Sequence, residues 1–141
     1  MKHRNDTIER LRQVTLFSAC TNDELALIAA RLTEHRASAG DVLATEGQIG
    51  RELFVITAGK AEVTIGGQQI AVLGPGEFFG EIALLDDGLR TATVVAQTDL
   101  VVEVSSQREF TELITGSPAL ARKLLIGLAR RLRTADLGLT S

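Results

Sequence analysis

The sequence has one cysteine, two histidines and no long apolar run. A single cysteine, Cys20, excludes an internal disulfide framework and a cysteine-rich zinc site. No stretch approaches the ~20 consecutive apolar residues of a membrane-spanning helix. The start of the chain, MKHRNDTIERLRQ, is charged and lacks the apolar core of a secretory signal. We therefore expect a cytoplasmic protein with no membrane partner.

An excess of positive charge is also absent. The chain has 15 Lys and Arg against 18 Asp and Glu, a formal net charge of −3. No overall field therefore attracts nucleic acid to this chain. Its 141 residues are 45% hydrophobic and 23% charged, which is typical of a folded protein long enough to bury a core. We predict a single domain over residues 1–141.

The N-terminal residues 1–36 are predicted to form helices. Thr21 is a good N-cap, and Glu24 follows it at the spacing of a capping box. Apolar residues then recur at the three- and four-residue spacing of an amphipathic helix; they are Leu25, Ile28, Ala29 and Leu32. A shorter helix is expected before this one, around Ile8 to Leu11.

Residues 37–104 change to a period of two, with glycine at the breaks. The apolar segments are DVLATEG, ELFVITAG, AEVTIGG, QIAVLGPG, TATVVAQ and LVVEVSS. Short strands at regular spacing with such turn signals indicate an antiparallel sandwich or roll. Within it, Gly66-Gly67 predicts a two-residue hairpin.

The helical period returns over residues 105–137. Ser105-Ser106 can cap a short helix that Gly116 stops, and Ser117-Pro118 then opens a longer helix with proline at its first position. The longer helix has a wide apolar face, formed by Leu120, Leu124, Leu125, Ile126, Leu128 and Leu132. Because one side of this face must cover the roll, the remainder predicts a homodimer through helix 117–137.

One segment of the roll, residues 76–92, departs from the strand pattern: GEFFGEIALLDDGLRTA. Gly80 permits a sharp turn, and the helix formers EIALL predict a single helical turn whose free N–H groups suit an anion. Arg90 can return to clamp a phosphate. Glu81 would repel a phosphate, but it can accept a hydrogen bond from a hydroxyl, and the two groups together describe a ribose phosphate. The alternative is a buried Glu81–Arg90 ion pair that holds a turn.

The segment FGEIALLDDGLRTATV resembles the phosphate-binding cassette of the cyclic-nucleotide-binding domains. The resemblance extends over nearly the whole chain, because LFSACTNDELALIAARL is similar to the family's N-terminal helix and FTELITGSPALARKLLIGLARRL to its closing helices. It implies a mainly β fold: an antiparallel β-roll (a double-stranded β-helix jelly roll) with N-terminal and C-terminal helices. Leu89 stands where the family often has proline, which loosens the loop before Arg90.

The resemblance also implies a role for each matching residue. Glu81 matches the glutamate that accepts from the ribose 2′-hydroxyl, and Arg90 matches the arginine that neutralises the cyclic phosphate. The remaining expected ligand-binding residues contribute backbone, hydroxyl or apolar contacts; they are Gly80, Ile82, Ala83, Thr91, Val63 and Leu73. No catalytic residue, metal ligand or cofactor is implied.

The implied function is a cyclic AMP sensor that transmits binding through its closing helix to an effector protein or domain. Cyclic GMP stays the alternative ligand, because Thr91 is compatible with guanine contacts. Two other functions stay open: the N-terminal sensor fragment of a transcription regulator, and a degenerate module that keeps the fold without binding. An enzyme is not expected, since His3 and His35 are too few for a jelly-roll metal site and no nucleophile with a base can be assembled.

Overall fold

The computed structural model describes residues 2–81 and 88–140. Contacts divide the chain into two compact units, Met1–Arg31 with Thr111–Ser141, and Leu32–Phe110. Helices form the first unit, and the strands belong to the second. The predicted class is confirmed: antiparallel sheets, with helices before and after them in the sequence. The single domain over residues 1–141 stays a prediction.

The helical unit buries apolar side chains. Its elements are α1 (Lys2–Arg12), a 3-10 helix (Thr15–Phe17), α2 (Asn22–Ala29), the end of α3 (Gln107–Gly116) and α4 (Pro118–Thr140). Its largest buried side chains are Leu11, Leu16, Phe17, Leu25 and Leu120, each contributing about 1.5–3 kcal/mol by leaving water. Gly127 of α4 lies so close to the 3-10 helix that a Cβ there would be 2.6 Å from the carbonyl carbon of Leu16.

Two helix starts confirm the predicted caps. Thr21 Oγ accepts a hydrogen bond from Glu24 N at 3.3 Å, and Glu24 Oε1 accepts from Thr21 N at 2.8 Å. At the start of α4, Ser117 Oγ accepts from Leu120 N at 3.2 Å. These side chains satisfy N–H groups that the first helical turn leaves unpaired. Helix α4 extends to Thr140, beyond the predicted end at 137.

Among the described residues, the β unit contains two four-stranded antiparallel sheets. Its strands are β1 (Thr33–Ala37), β2 (Val42–Ala44), β3 (Glu52–Ala58), β4 (Ala61–Ile65), β5 (Gln68–Leu73), β6 (Phe78–Phe79), β7 (Thr93–Ala96) and β8 (Leu100–Ser106). The strand order is β1-β8-β3-β6 in the first sheet and β2-β7-β4-β5 in the second. The core between the sheets combines Phe54, Ile56 and Val102 of the first with Val63 and Val94 of the second.

Residues 33–36 correct the predicted helical segment, because they belong to strand β1. Each residue of β1 pairs with β8, from Thr33↔Val104 to Ala37↔Leu100. Charged residues such as Glu34 and Arg36 are common on an edge strand, where they discourage pairing with another chain. Helix α2 ends at Ala29, before the last residue of the predicted stripe, Leu32. Pairing with a strand more than sixty residues away decides the conformation that follows.

The start of the closing helices is also corrected. Ser105 pairs with Leu53 and Ser106 with Glu52, so both serines belong to β8. Helix α3 begins at Gln107, where Ser106 Oγ accepts from Glu109 N at 3.1 Å. The cap at Ser106 is therefore confirmed, but the cap at Ser105 is wrong.

No helix among the described residues combines the length and apolarity needed to span a bilayer.

The predicted β4–β5 hairpin is confirmed. Gly66 and Gly67 both have positive φ, 59° and 83°, which a two-residue turn between twisted strands requires.

Candidate functional site

The backbone of Arg90 is held by the loop that precedes β3. Arg90 N donates to Gln48 O at 2.7 Å, and Gly47 N donates to Arg90 O at 2.9 Å. The neighbouring residue Leu89 forms an isolated antiparallel bridge with Ile49. This part of the chain is therefore paired at Leu89, the residue that the resemblance led us to expect in a looser loop.

The side chain of Arg90 lies against the start of β3. Its Nη2 donates to the backbone carbonyl of Glu52 at 3.0 Å, and its guanidinium carbon is 5.9 Å from the centre of the Phe54 ring. Phe54 stacks on Phe79 with a centroid distance of 4.7 Å and an interplanar angle of 11°. The phenylalanine just before Gly80 therefore completes an aromatic support for the cation.

One terminal nitrogen of the Arg90 guanidinium has no hydrogen-bond partner among the described residues. Nη1 is buried and makes no hydrogen bond there. Burial lowers the pKa of Arg90, while the carboxylates of Glu52 and Glu81 raise it. An arginine side chain keeps its charge at neutral pH. Because a buried donor without an acceptor is costly, this guanidinium is suited to bind an anion.

Gly80 is required at its position for two reasons. Its φ is +93°, a conformation that side chains rarely adopt. A Cβ there would also lie 2.7 Å from Arg90 Nη1 and even closer to the carbonyl oxygen of Glu52. The structure thus brings Gly80 and Arg90 into direct contact.

Glu81 follows in helical conformation and is half-buried. Its carboxylate raises the pKa of Arg90. Among the described residues, however, no ion pair within 4.0 Å joins the side chains of Glu81 and Arg90. The described contacts therefore give no support to the alternative of a Glu81–Arg90 ion pair that holds the turn. Each group keeps capacity for another partner.

The other predicted site residues lie elsewhere or outside the described residues. Val63 on β4 and Leu73 on β5 are buried in the core of the β unit. Thr91 is exposed, in a bend before β7. Ile82 and Ala83, with the predicted helical turn after Glu81, lie outside the described residues. A ligand role for all these residues stays a prediction.

Three residues of this site were missed from the sequence: Gly50, Glu52 and Phe54. They surround the Arg90 guanidinium but precede it by about forty residues. Glu52 acts through its carbonyl, which any residue has, so no sequence signal marks it. Gly50 is one of the glycines at the strand breaks, which the sequence pattern marks only as a turn. In the structure it lines a cavity of about 240 Å³ together with Arg51 and Arg90.

Metal ligands are not clustered in the part of the chain that the structure describes. No group of three or more His, Cys, Asp or Glu side chains there could hold an ion.

Comparison with known proteins identifies the family. Residues 34–117 match the family model of the cyclic nucleotide-binding domain. Since this match covers more than half of the chain, the protein belongs to that family, and the resemblance found in the sequence is confirmed.

Two relatives and one solved structure illustrate the range of the family. The cyclic AMP receptor protein of Thermus thermophilus is 36% identical over 129 residues, which is 88% of this chain and 60% of that protein. A cGMP-dependent protein kinase of Caenorhabditis briggsae is 36% identical over 121 residues, 81% of this chain and 16% of the kinase. The chain thus spans less than two thirds of either relative.

The solved structure is the N-terminal domain of a transcriptional regulator from Streptomyces coelicolor. It has a TM-score of 0.79 and 33% identity, and the match covers 90% of this chain and 94% of that one.

Proposed function

We propose that this chain is a regulatory module that binds cyclic AMP, with Arg90 on the cyclic phosphate and Glu81 on the ribose hydroxyl. The main support is the buried Nη1 group of Arg90, which has no acceptor among the described residues. A phosphate oxygen would satisfy this donor and neutralise the guanidinium at the same time. The nearby Glu81 carboxylate, which forms no close ion pair with Arg90 among the described residues, suits a hydroxyl next to that phosphate.

We propose that the chain binds cyclic AMP more tightly than cyclic GMP. The relatives include both a cyclic AMP receptor protein and a cGMP-dependent kinase, so membership of the family alone does not choose between the ligands. Calorimetric titration with both nucleotides measures the preference directly. Tenfold tighter binding of cyclic GMP would overturn it.

The key experiment is the same titration on wild type, Arg90→Ala and Arg36→Ala. Removing Arg90 should weaken cyclic AMP binding by about 30-fold or more, because truncating one partner of a buried charge pair costs about 2–5 kcal/mol. Arg36 is a matched control, since it lies in the same unit with its side chain 75% exposed. Arg36→Ala should bind like wild type.

Failure of wild type to bind either nucleotide would leave the degenerate module as the remaining function. Equal binding by wild type and Arg90→Ala would instead reject Arg90 as the phosphate ligand.

We propose that binding is transmitted through the closing helix, α4, to an effector protein or domain. A helix changes its equilibrium position only if the ligand interacts differently with its two positions. Hydrogen exchange of α4 amides with and without cyclic AMP tests this. Unchanged exchange at saturating ligand would contradict transmission through α4.

Helix α4 is also the proposed surface of a homodimer. Leu125 and Leu132, seven residues apart and so on one face of the helix, are 62% and 65% exposed. Light scattering at high concentration should give the mass of a dimer, and Leu132→Glu should lower it toward that of a monomer. A monomeric mass for wild type would remove this proposal.

A second candidate function is the sensor part of a transcription regulator. It is favoured by the similarity to the N-terminal domain of such a regulator. The acidic composition of the chain gives no support for direct contact with DNA. Tight and salt-sensitive binding of DNA by residues 1–141 in a gel-shift assay would contradict that expectation.

A further inference from the structure

Gly50 is a buried glycine whose backbone does not require glycine. The positive-φ glycines among the described residues include its neighbour Gly47 but not Gly50. The residue lies in the loop before β3 and is buried. Because its φ is not in the positive range that favours glycine, we look for the reason for glycine here in the space around it.

Arg90 occupies the space beside Gly50. A Cβ at position 50 would lie closer than 3.0 Å to Nε, Cζ and Cδ of Arg90. Such separations are far inside van der Waals contact, which for carbon is about 3.5–4.0 Å. The Arg90 side chain therefore packs directly on the backbone of residue 50.

Gly50 is one wall of a site that we call the arginine slot, formed by Gly50, the Glu52 carbonyl, the Phe54 ring and Gly80. The carbonyl accepts from Nη2 at 3.0 Å, and the ring lies 5.9 Å from Cζ. Gly80 borders Nη1, since a Cβ there would be 2.7 Å from that atom. The slot thus contacts the guanidinium from several sides and sets the position of Nη1.

We propose that Gly50 is a positioning residue for Arg90: its missing side chain leaves the room that lets the guanidinium enter the arginine slot. This inference rests on the proposed function, because Arg90 matters to the ligand only if it binds the phosphate. The clash caused by a methyl group would involve the flexible Arg90 side chain. The Arg90 backbone is held by its hydrogen bonds to Gln48 and Gly47, so the side chain would leave the slot while the fold is kept.

Affinity tests the consequence for the ligand. In calorimetric titration, Gly50→Ala should bind cyclic AMP about tenfold or more weakly than wild type, because a misplaced guanidinium loses a charge-assisted hydrogen bond. Gly74→Ala is a matched control in the same unit: its φ is not positive, and a Cβ there meets nothing within 4 Å. Wild-type affinity of Gly50→Ala would overturn the proposal.

Thermal unfolding without ligand tests the positioning itself. In the wild-type background, Gly50→Ala should lower the Tm, since Arg90 loses its hydrogen bond to Glu52. In the Arg90→Ala background the same change should leave the Tm unchanged or raise it, because the clash is gone and alanine restricts the unfolded chain. An equal loss in both backgrounds would show that Gly50 is needed for a reason other than Arg90.

The two arms separate the failure of this inference from that of the proposed function. Absence of nucleotide binding by wild type rejects the proposed function, whereas the unfolding cycle needs no ligand and decides whether Gly50 positions Arg90. If Gly50→Ala does not fold but folds once Arg90 is also alanine, the proposal is supported.

Discussion

Cys20 is a half-buried thiol in the helical unit with a pKa raised from 9.0 to about 11. Burial is the main cause; the carboxylate of Glu24 adds to it, and the ammonium of Lys123 opposes it. Because the folded state holds the thiol proton more tightly than the unfolded state, the contribution of the protonated Cys20 to the free energy of unfolding is complete below pH 9. It is lost as the pH rises toward about 11. Below that range the thiol is a poor nucleophile.

Urea unfolding at several pH values between 8 and 11 checks this pKa. Wild type should lose more stability than Cys20→Ala over the range from pH 9 to 11, since both proteins share all other titrating groups. Parallel pH profiles would show that the thiol has an ordinary pKa in the folded protein.

The sequence predicted the part of the candidate site that is local in the chain. Gly80, Glu81 and Arg90 stand within one short segment of unusual composition, so their types and spacing were visible together. Gly50, in the loop before β3, and the carbonyl of Glu52, the first residue of β3, complete the site. Their contribution depends on the close approach of two distant segments, and a backbone carbonyl has no signature in a sequence.

Glu24 connects helices α2 and α4 within the helical unit. Its Oε1 accepts from Thr21 N at 2.8 Å in the capping box of α2 and from Lys123 Nζ of α4 at 2.6 Å. The hydrogen bond from Lys123 is the largest cause that lowers the pKa of Glu24 below 4.5, followed by that from Thr21. The stability it contributes is thus present above pH 4.5 and is lost as the pH falls through the folded pKa.

Glu24→Gln should lower stability at pH 7 by up to about 1 kcal/mol, because it keeps an acceptor for the cap but loses the charge. It should also flatten the loss of stability below pH 4.5. Urea unfolding at pH 7 and pH 3.5 measures both effects, and Glu9→Gln is a control with its ion-pair partner on the same helix. A Glu24→Gln profile that matches the control would contradict the connection between α2 and α4.

Gly127 tests helix packing against helix propensity. Alanine favours a helix interior over glycine by about 1 kcal/mol, so propensity alone predicts that Gly127→Ala stabilises α4. The backbone of Leu16 leaves no room for a Cβ at that position, and overpacking costs about 1–3 kcal/mol. We expect net destabilisation in chemical unfolding.

Gly116→Ala is the control for this change, because a Cβ at Gly116, the last residue of α3, meets nothing within 4 Å. Its stability should differ little from wild type. A gain in stability for Gly127→Ala would mean that the 3-10 helix moves away from α4 at little cost.

The helices and most strands followed from sequence patterns, but strand β1 did not, and neither did strand β6, which lies in the segment predicted to depart from the strand pattern. Caps at Thr21 and Ser117 and the glycines of the hairpin are local signals, which the structure confirms. In β1, Glu34 and Arg36 alternate with Thr33 and His35, and such a polar strand carries little apolar periodicity. Its conformation comes from the ladder with β8, which no local pattern announces.

Ligand binding should raise the thermal stability of the protein. Cyclic AMP at 100 times its Kd should stabilise the protein by about 2.7 kcal/mol, which corresponds to a Tm increase on the order of 10 °C. Differential scanning calorimetry measures this shift, and Arg90→Ala at the same concentration should show little of it. An unchanged Tm for wild type at saturating nucleotide would contradict binding to the folded state.

The strand order also determines when the protein can fold during its own synthesis. In the sheet with the order β1-β8-β3-β6, strand β8 lies between β1 and β3. This sheet therefore lacks an inner strand until Ser106, the last residue of β8, has emerged from the ribosome. Until then β1 and β3 lack β8, the strand that pairs with both of them, and their unpaired edges are exposed to other chains. Chaperone demand should therefore peak late in translation and fall once β8 emerges to join the two strands.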